Sequence, residues 1–258
     1  MISSEHLEEL RTAKAKLSSN SFAISAINFV GRPIDDVINK LPARYQDKIN
    51  TAVSISLKKA IEIVNLTVPK RTNFLSSGGL NKTACIISGG VGGFFGISGL
   101  PIELPVSTGI MLRAIINKAV ENGIDVRTPQ GKLDCMEVLA FGGGRSISHT
   151  DNSYYYIRTI LSTAFEESSK YIASRGFIEE GAPPVVRFIA QIASRFGITV
   201  TDKIALEAIP FIGALTGAGI NLIFINHFIR MAEGHFTVKR LESIYGFEDT
   251  REIYNSLD

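Results

Sequence analysis

The segment GGVGGFFGISGLPIELPV, residues 89–106, constrains the fold more than any other part of the chain. It lies within a run of thirty residues, 83–112, that contains seven glycines and a single charged residue, Glu103. Gly89 and Gly93 stand four residues apart, so on a helix they share a face, and small residues at this spacing let two helix backbones approach closely. The run therefore predicts closely packed helices, either in the core of an all-helical protein or in contact with lipid.

Two prolines divide the glycine-rich run into separate elements. A helix that crosses a bilayer needs about 20 apolar residues, and the run is long enough, but Pro101 and Pro105 break it. We predict two helices that meet at a tight corner, the second running from Pro101 or Pro105 to Asn122. Gly123 is the expected stop, because glycine is favoured just after a helix C-terminus.

A second uncharged stretch covers residues 208–229, which contain no Asp, Glu, Lys or Arg. It also mixes bulky aliphatic residues with small ones, and Gly213 and Gly217 again stand four apart. Asn221 places a polar group inside the stretch, which argues against a helix that faces lipid. We predict a buried core helix, with membrane insertion of residues 204–230 as the alternative.

Helical spacing of apolar residues dominates the rest of the chain. It predicts helices over residues 4–17, 33–41, 43–68, 131–141, 153–174, 183–196 and 238–245. Only Thr199-Val200-Thr201 hints at a strand. The prediction is an all-α fold, a single multi-helix domain with the two Gly-rich hydrophobic segments at its core. We divide the chain into an N-terminal helix and lead-in (1–30), the helical domain (31–248) and a C-terminal tail (249–258).

The composition excludes several classes of protein. Lys and Arg total 27 against 25 Asp and Glu, and a net charge of +2 is too small for the basic patch that nucleic-acid binding requires. The two cysteines, Cys85 and Cys135, cannot form a disulfide framework, which favours a reducing compartment. The N-terminal residues lack the apolar segment of a secretory signal. We expect a cytoplasmic protein, peripheral at the inner membrane, with no nucleic-acid partner.

Nucleotide-binding motifs are absent from the glycine-rich run. The phosphate-binding sequence Gly-x-x-x-x-Gly-Lys-Ser/Thr does not occur, and the dinucleotide pattern Gly-x-Gly-x-x-Gly fails because Phe95 stands where the third glycine should be. Ser98 misses the Gly-x-Ser-x-Gly pattern of hydrolases by one residue. We expect no bound cofactor.

Glu103 is the most informative single residue, because burying an unpaired carboxylate is costly. In one interpretation it accepts backbone N–H groups in the first turn of the helix that Pro101 opens. In the other it pairs with Arg113, Arg230 or His227 inside a cleft. There its pKa could rise enough for proton transfer.

The histidines and cysteines give weaker signals. His227 and His235 are eight residues apart, roughly 12 Å along one helix, which is too far for both to bind one ion. We therefore expect no metal site. Cys135 is expected to be a small buried hydrophobe, since a reactive thiol would need a nearby cation such as Lys132 or His149.

Several blocks of the sequence resemble the EcsC protein family. They are residues 89–106, Met111-Leu112-Arg113, residues 133–143 and residues 227–246. The resemblance covers residues 35–246, and its Leu-Pro-x-Glu-Leu-Pro and Gly-His-Phe-Thr-Val sequences are specific. It implies a bacterial protein, from a family named after a component encoded with an ABC transporter, and it supplies no activity, substrate or cofactor.

Two functional hypotheses follow. The favoured one is a non-enzymatic protein that binds a lipid or acyl chain, or docks on the membrane surface beside a membrane-protein partner such as an ABC transporter. The residues expected to line its ligand site are Phe94, Phe95, Glu103, Arg113, Asn221, His227 and Arg230. Those expected to contact headgroups are Lys239 and Arg240. The alternative is a hydrolase or other acid–base enzyme that uses Glu103 and His227 with Cys135.

Overall fold

The computed structural model describes residues 2–18, 22, 43–66, 99–142, 154–175, 182–207 and 213–257. Within these ranges the regular structure is helical and includes no strand, which confirms the all-α prediction. The α-helices are α1 (Ser4–Ser18), α2 (Ala43–Leu66), α3 (Leu100–Glu121), α4 (Pro129–Glu137), α5 (Tyr154–Arg175), α6 (Pro183–Glu207), α7 (Gly213–Tyr245) and α8 (Phe247–Ser256), with a 3-10 turn at Val138–Ala140. The predicted helix 33–41 and the glycine-rich residues 83–98 lie outside the described residues.

Helix α3 begins and ends where local sequence signals predict. Pro101 lies in its first turn, where the missing N–H group is not needed. Pro105 lies inside the helix and removes only one bond, to the carbonyl of residue 101. At the other end Gly123 has φ of +77°, the left-handed conformation that glycine adopts without strain.

Helix α6 continues beyond its predicted end and corrects one expectation. It runs through Thr199-Val200-Thr201 to Glu207, so the hint of a strand there was wrong. Thr199 and Val200 are fully buried. Packing against neighbouring helices outweighs the weak β preference of these branched residues.

Helix α7 is a single helix of 33 residues, so the prediction of a separate short helix at 238–245 was wrong. Gly234 does not interrupt it. A Cβ atom at Gly234 would lie 2.7 Å from Leu17 Cγ and 3.0 Å from the carbonyl oxygen of Ala13. The glycine therefore allows α1 to pack closely against α7, a role that depends on a distant part of the chain.

Both ends of the described chain pack on α7. Helix α1, predicted as part of a lead-in, lies along α7, and its Leu10 and Ala13 are buried. Helix α8, within the predicted C-terminal tail, follows Gly246 and also packs on α7, while its buried Tyr254 contacts the rings of Tyr154 and Tyr155 on α5.

Helix α7 occupies the centre of the fold, where it also packs against α3 and α6. Its Phe224 and Phe228 make edge-to-face contacts, and Phe22 and Phe196 pack around them, with ring centroids 5.2–6.1 Å apart. Aromatic pairs in this geometry add to the stability gained from burial. The described part of the second uncharged stretch thus lies in the core, as predicted. None of the described helices has both the length and the apolar character that crossing a membrane requires.

Candidate functional site: buried polar groups around helix α7

Glu103 is buried and forms an ion pair with Lys203 of α6, at 2.6 Å. Lys203 also contacts Glu207, one helical turn later, at 3.1 Å. Burial alone would lower the pKa of Lys203, but the combined attraction of the Glu207 and Glu103 carboxylates outweighs it and raises that pKa. Burial raises the pKa of Glu207. These three residues form a buried ion triad that ties α3 to α6.

The predicted partners of Glu103 were therefore wrong. Its carboxylate pairs with Lys203, not with Arg113, Arg230 or His227. Sequence analysis missed Lys203 because it follows the residues taken for a strand. The signal that could have identified Lys203 is its spacing of four residues from Glu207, because residues at this spacing are neighbours on a helix.

His227 lies in an apolar environment. It is fully buried, and its ring contacts the rings of Phe22 and Phe228 at centroid distances of 6.1 and 5.2 Å. Within the part of the chain that the structure describes, neither ring nitrogen has a hydrogen-bond partner. Burial, with a smaller contribution from the charge of Arg230, lowers the pKa of His227 to about 3. A histidine held neutral in this way is a poor general base for a partner such as Glu103.

This lowered pKa predicts a pH-dependent loss of stability. The unfolded chain binds a proton at His227 as pH falls through its ordinary pKa of 6.5, whereas the folded chain does so only near 3. Stability therefore falls as pH drops through this window, by about 2 kcal/mol between pH 7 and pH 5. The variant His227→Leu should lack this pH-dependent loss of stability. Urea unfolding at pH 7 and pH 5 measures the loss in both proteins. An equal pH 5 deficit in both proteins would contradict the prediction.

The environment of Cys135 does not activate its thiol as a nucleophile. Its thiol is buried, and burial, with the negative charge of Asp134, raises its pKa well above the usual range. Thiolate formation is thus disfavoured, as expected for a small buried hydrophobe. Among the contacts of the described residues, none joins Cys135 to Glu103 or His227, so the structure does not assemble the enzyme site that the alternative hypothesis requires.

A second group of buried polar residues lies between α4, α5 and α7. We call it the polar cluster: Asp134, Glu137, Tyr154, Arg158, His235, Lys239 and Glu242. Two of its ion pairs are short. Arg158 donates hydrogen bonds to both carboxylate oxygens of Glu242, at 2.5 and 3.0 Å, and Lys239 Nζ lies 3.0 Å from Asp134 Oδ1. Bidentate contacts of this type fix orientation as well as charge.

His235 is the innermost member of the polar cluster. Its Nδ1 lies 2.9 Å from the hydroxyl of Tyr154, which also accepts a hydrogen bond from Arg158. Its Nε2 faces Glu137 Oε2 across 3.8 Å. Burial raises the pKa of Glu137 to about 7. Burial, with the charges of Arg158 and Lys239, lowers the pKa of His235 well below its usual range.

The polar cluster was not found from sequence, although its spacing is regular. Asp134 and Glu137 are three residues apart on α4, and His235, Lys239 and Glu242 follow at four and three on α7, so each set shares a face. Sequence analysis considered His235 only together with His227, and Lys239 only as a contact for headgroups, so it did not bring these residues into one cluster.

The basic residues predicted to contact headgroups are already paired within the protein. Lys239 pairs with Asp134 and is largely buried, and Arg240 pairs with Glu9 of α1. Each charge therefore already has a partner within the protein, and the contact with lipid headgroups stays a prediction.

The remaining residues predicted to bind a ligand differ in their exposure to solvent or lie outside the described residues. Phe94 and Phe95 lie outside the described residues. Asn221 is fully buried, Arg230 is partly buried, and Arg113 is exposed on α3.

The family model of the EcsC protein family matches residues 4–241. The chain belongs to this family. The match begins with α1, earlier than the resemblance at 35–246, in agreement with the packing of α1 on α7. Neither a curated protein nor a solved structure matches this EcsC chain.

The EcsC chain exposes three apolar side chains and one arginine along one side of α3. At 100° per residue, Ile102, Val106, Arg113 and Val120 fall within about 40° of one another around the helix. We call these four residues the α3 stripe. Ile102 is 76% exposed, and Val106 and Val120 are each 47% exposed. Arg113 is also exposed.

The described residues of the EcsC chain also border a shallow depression of ≈ 420 Å³ on α2. Its lining consists of Asn50, Thr51, Ser54, Ile55 and Lys58. This lining is mostly polar, unlike the apolar walls that usually enclose a hydrophobic ligand.

Proposed function

We propose that this EcsC-family protein docks on an anionic lipid surface through the α3 stripe, as a peripheral accessory of the membrane. The observation that carries the proposal is the exposure of Ile102, a large aliphatic side chain left in water at the start of a helix whose other side is buried. Val106 continues the apolar surface one turn later. Arg113 lies on the same face and supplies a positive charge for lipid headgroups.

The chain on the N-terminal side of α3 supports this proposal. Residues 83–98 carry no Asp, Glu, Lys or Arg and lead directly into α3. The most exposed aliphatic residue is therefore preceded in the sequence by a segment without charged side chains. Other exposed aliphatic residues, such as Ile160 and Val186, lack a neighbouring segment of this kind.

The packing of the interior favours docking on a surface over enclosing a ligand. The aromatic residues around α7 pack against one another in the described fold, and the depression on α2 is polar. His227 and Asn221, both expected to line a ligand site, are fully buried in this packed region. Surface docking needs no internal space.

The energy available from the α3 stripe predicts reversible binding. Burying one large aliphatic side chain contributes about 1.5–3 kcal/mol, and one basic residue near an anionic leaflet contributes about 1 kcal/mol. The stripe therefore resembles a single lipid anchor, which binds membranes weakly and reversibly. We expect binding to phosphatidylglycerol vesicles to exceed binding to phosphatidylcholine vesicles, and to weaken as salt is raised.

Vesicle flotation tests the proposal. The double variant Ile102→Ser, Val106→Ser should bind phosphatidylglycerol vesicles at least tenfold more weakly than the unaltered chain, because about 2 kcal/mol of apolar burial is lost. Arg113→Gln should reduce only the preference for anionic lipid.

The matched control removes one exposed isoleucine and one exposed valine from other helices. Ile160→Ser, Val186→Ser changes α5 and α6 and should leave flotation unchanged. The proposal fails if the unaltered chain does not float with anionic vesicles. It also fails if the α5–α6 variant loses binding while the α3 variant keeps it.

A further inference from the structure

We propose that Asp134, Glu137 and His235 bind one divalent transition-metal cation between α4 and α7. One ligand atom from each of these residues lies within 4.8 Å of the other two. All three side chains are buried, and they come from two helices that the fold holds together. This site is separate from the α3 stripe and independent of lipid docking.

The distances suit a single ion. Bonds of about 2.0–2.2 Å place any two ligand atoms of a tetrahedral zinc ion roughly 3.3–3.6 Å apart. His235 Nε2 and Glu137 Oε2 are 3.8 Å apart, which is too long for a hydrogen bond between them. Small side-chain rotations are enough to bring the three ligand atoms around one centre.

His235 provides the second observation that points to a ligand. Its Nε2 is fully buried and has no hydrogen-bond partner among the described residues, an arrangement that costs free energy unless a ligand binds the nitrogen. Its other nitrogen is held by the hydroxyl of Tyr154, which Arg158 holds in turn. Metal-binding histidines are typically oriented in this way, with one nitrogen on the ion and the other hydrogen-bonded to an outer partner.

The charges of the polar cluster also favour a cation. Asp134, Glu137 and Glu242 contribute three carboxylates, whereas Arg158 and Lys239 contribute two positive charges. The carboxyl groups outnumber the basic groups, and a bound cation favours the ionised form of each carboxyl group. Lys239 contacts one oxygen of Asp134, and a carboxylate can still offer its second oxygen to an ion.

The donor set indicates the class of ion. One imidazole nitrogen with two carboxylates suits Zn²⁺ or Mn²⁺, while Ca²⁺ and Mg²⁺ prefer oxygen ligands alone. Sequence analysis excluded a site shared by His227 and His235. The proposed site uses His235 with α4, a pairing that sequence spacing does not reveal.

Titration of the metal-free protein tests the site. The full chain is treated with EDTA, dialysed and titrated with Co²⁺, followed by visible absorption, and with Zn²⁺, followed by calorimetry. We expect one equivalent of each to bind, and Zn²⁺ to displace Co²⁺. Failure of both ions to bind at one equivalent would overturn the proposal.

Variants locate the site. His235→Gln and Glu137→Gln should each weaken Zn²⁺ binding at least 100-fold, and Tyr154→Phe, which alters only an outer partner, about tenfold. His227→Gln is the matched control, because it changes another buried histidine on α7 outside the polar cluster, and it should leave affinity unchanged. Binding that survives in His235→Gln, or that is lost in His227→Gln, would contradict the assignment.

A spectroscopic measurement on the unaltered chain covers the case in which His235→Gln does not fold. X-ray absorption of the Co²⁺-bound protein should show one imidazole nitrogen among oxygen ligands. A shell of oxygen atoms alone would overturn the assignment to His235.

Discussion

Lys203→Met should lower the free energy of unfolding by about 3–5 kcal/mol, the range measured when one partner is removed from a buried ion pair. Lys203 is fully buried between Glu103 and Glu207, and methionine preserves much of its aliphatic stem while removing the charge. Two carboxylates would then remain close together without a cation, in a place that water does not reach. Urea unfolding at pH 7 measures the loss.

The loss in Lys203→Met should depend on pH. Without the ammonium group the folded-state pKa of Glu207 should rise further, so the deficit should shrink as pH falls and that carboxylate takes up a proton. Lys118→Met is the matched control, because Lys118 pairs with Glu121 and Glu233 at a partly exposed site. That change should cost less than about 1 kcal/mol. Equal losses in the two variants would show that the buried ion triad has no special importance.

Gly142→Ala should destabilise the protein by about 2–4 kcal/mol. Gly142 has φ of +82°, a conformation that costs other residues about 1–2 kcal/mol. A Cβ there would also lie 1.8 Å from Nε2 of His227. Because Phe22 and Phe228 pack against that ring, it cannot move aside without further cost.

Gly123→Ala separates the two contributions to this loss. Gly123 has φ of +77°, and a Cβ there would meet nothing within 4 Å. The variant Gly123→Ala should therefore lose only the stability that the backbone conformation costs, about 1–2 kcal/mol. If Gly142→Ala and Gly123→Ala lose the same stability in urea unfolding, the contact with His227 is not tight.

The features that sequence analysis predicted correctly depend on local signals. Pro101 and Gly123 mark the ends of α3 because each acts through its own backbone conformation. The burial of Cys135 also agrees with prediction, since an unpaired cysteine is usually a small core residue. Such effects require no knowledge of the rest of the fold.

The features that sequence analysis missed depend on distant contacts. Glu103 and Lys203 are a hundred residues apart in sequence, so nothing near Glu103 identifies its partner. Gly234 leaves room for α1, a helix more than two hundred residues earlier in the chain, so its neighbours in sequence do not reveal this role. The polar cluster likewise joins α4 to α7, and only folding shows that Asp134 and His235 meet.

Docking through the α3 stripe is tested most directly with a single fluorescent residue. The chain contains no tryptophan, so Ile102→Trp introduces the only one. On addition of phosphatidylglycerol vesicles its emission should shift to shorter wavelength, and lipids brominated on the acyl chains should quench it. Val186→Trp, on α6, should show neither change. Emission from residue 102 that stays unshifted and unquenched at saturating lipid would contradict the proposed function.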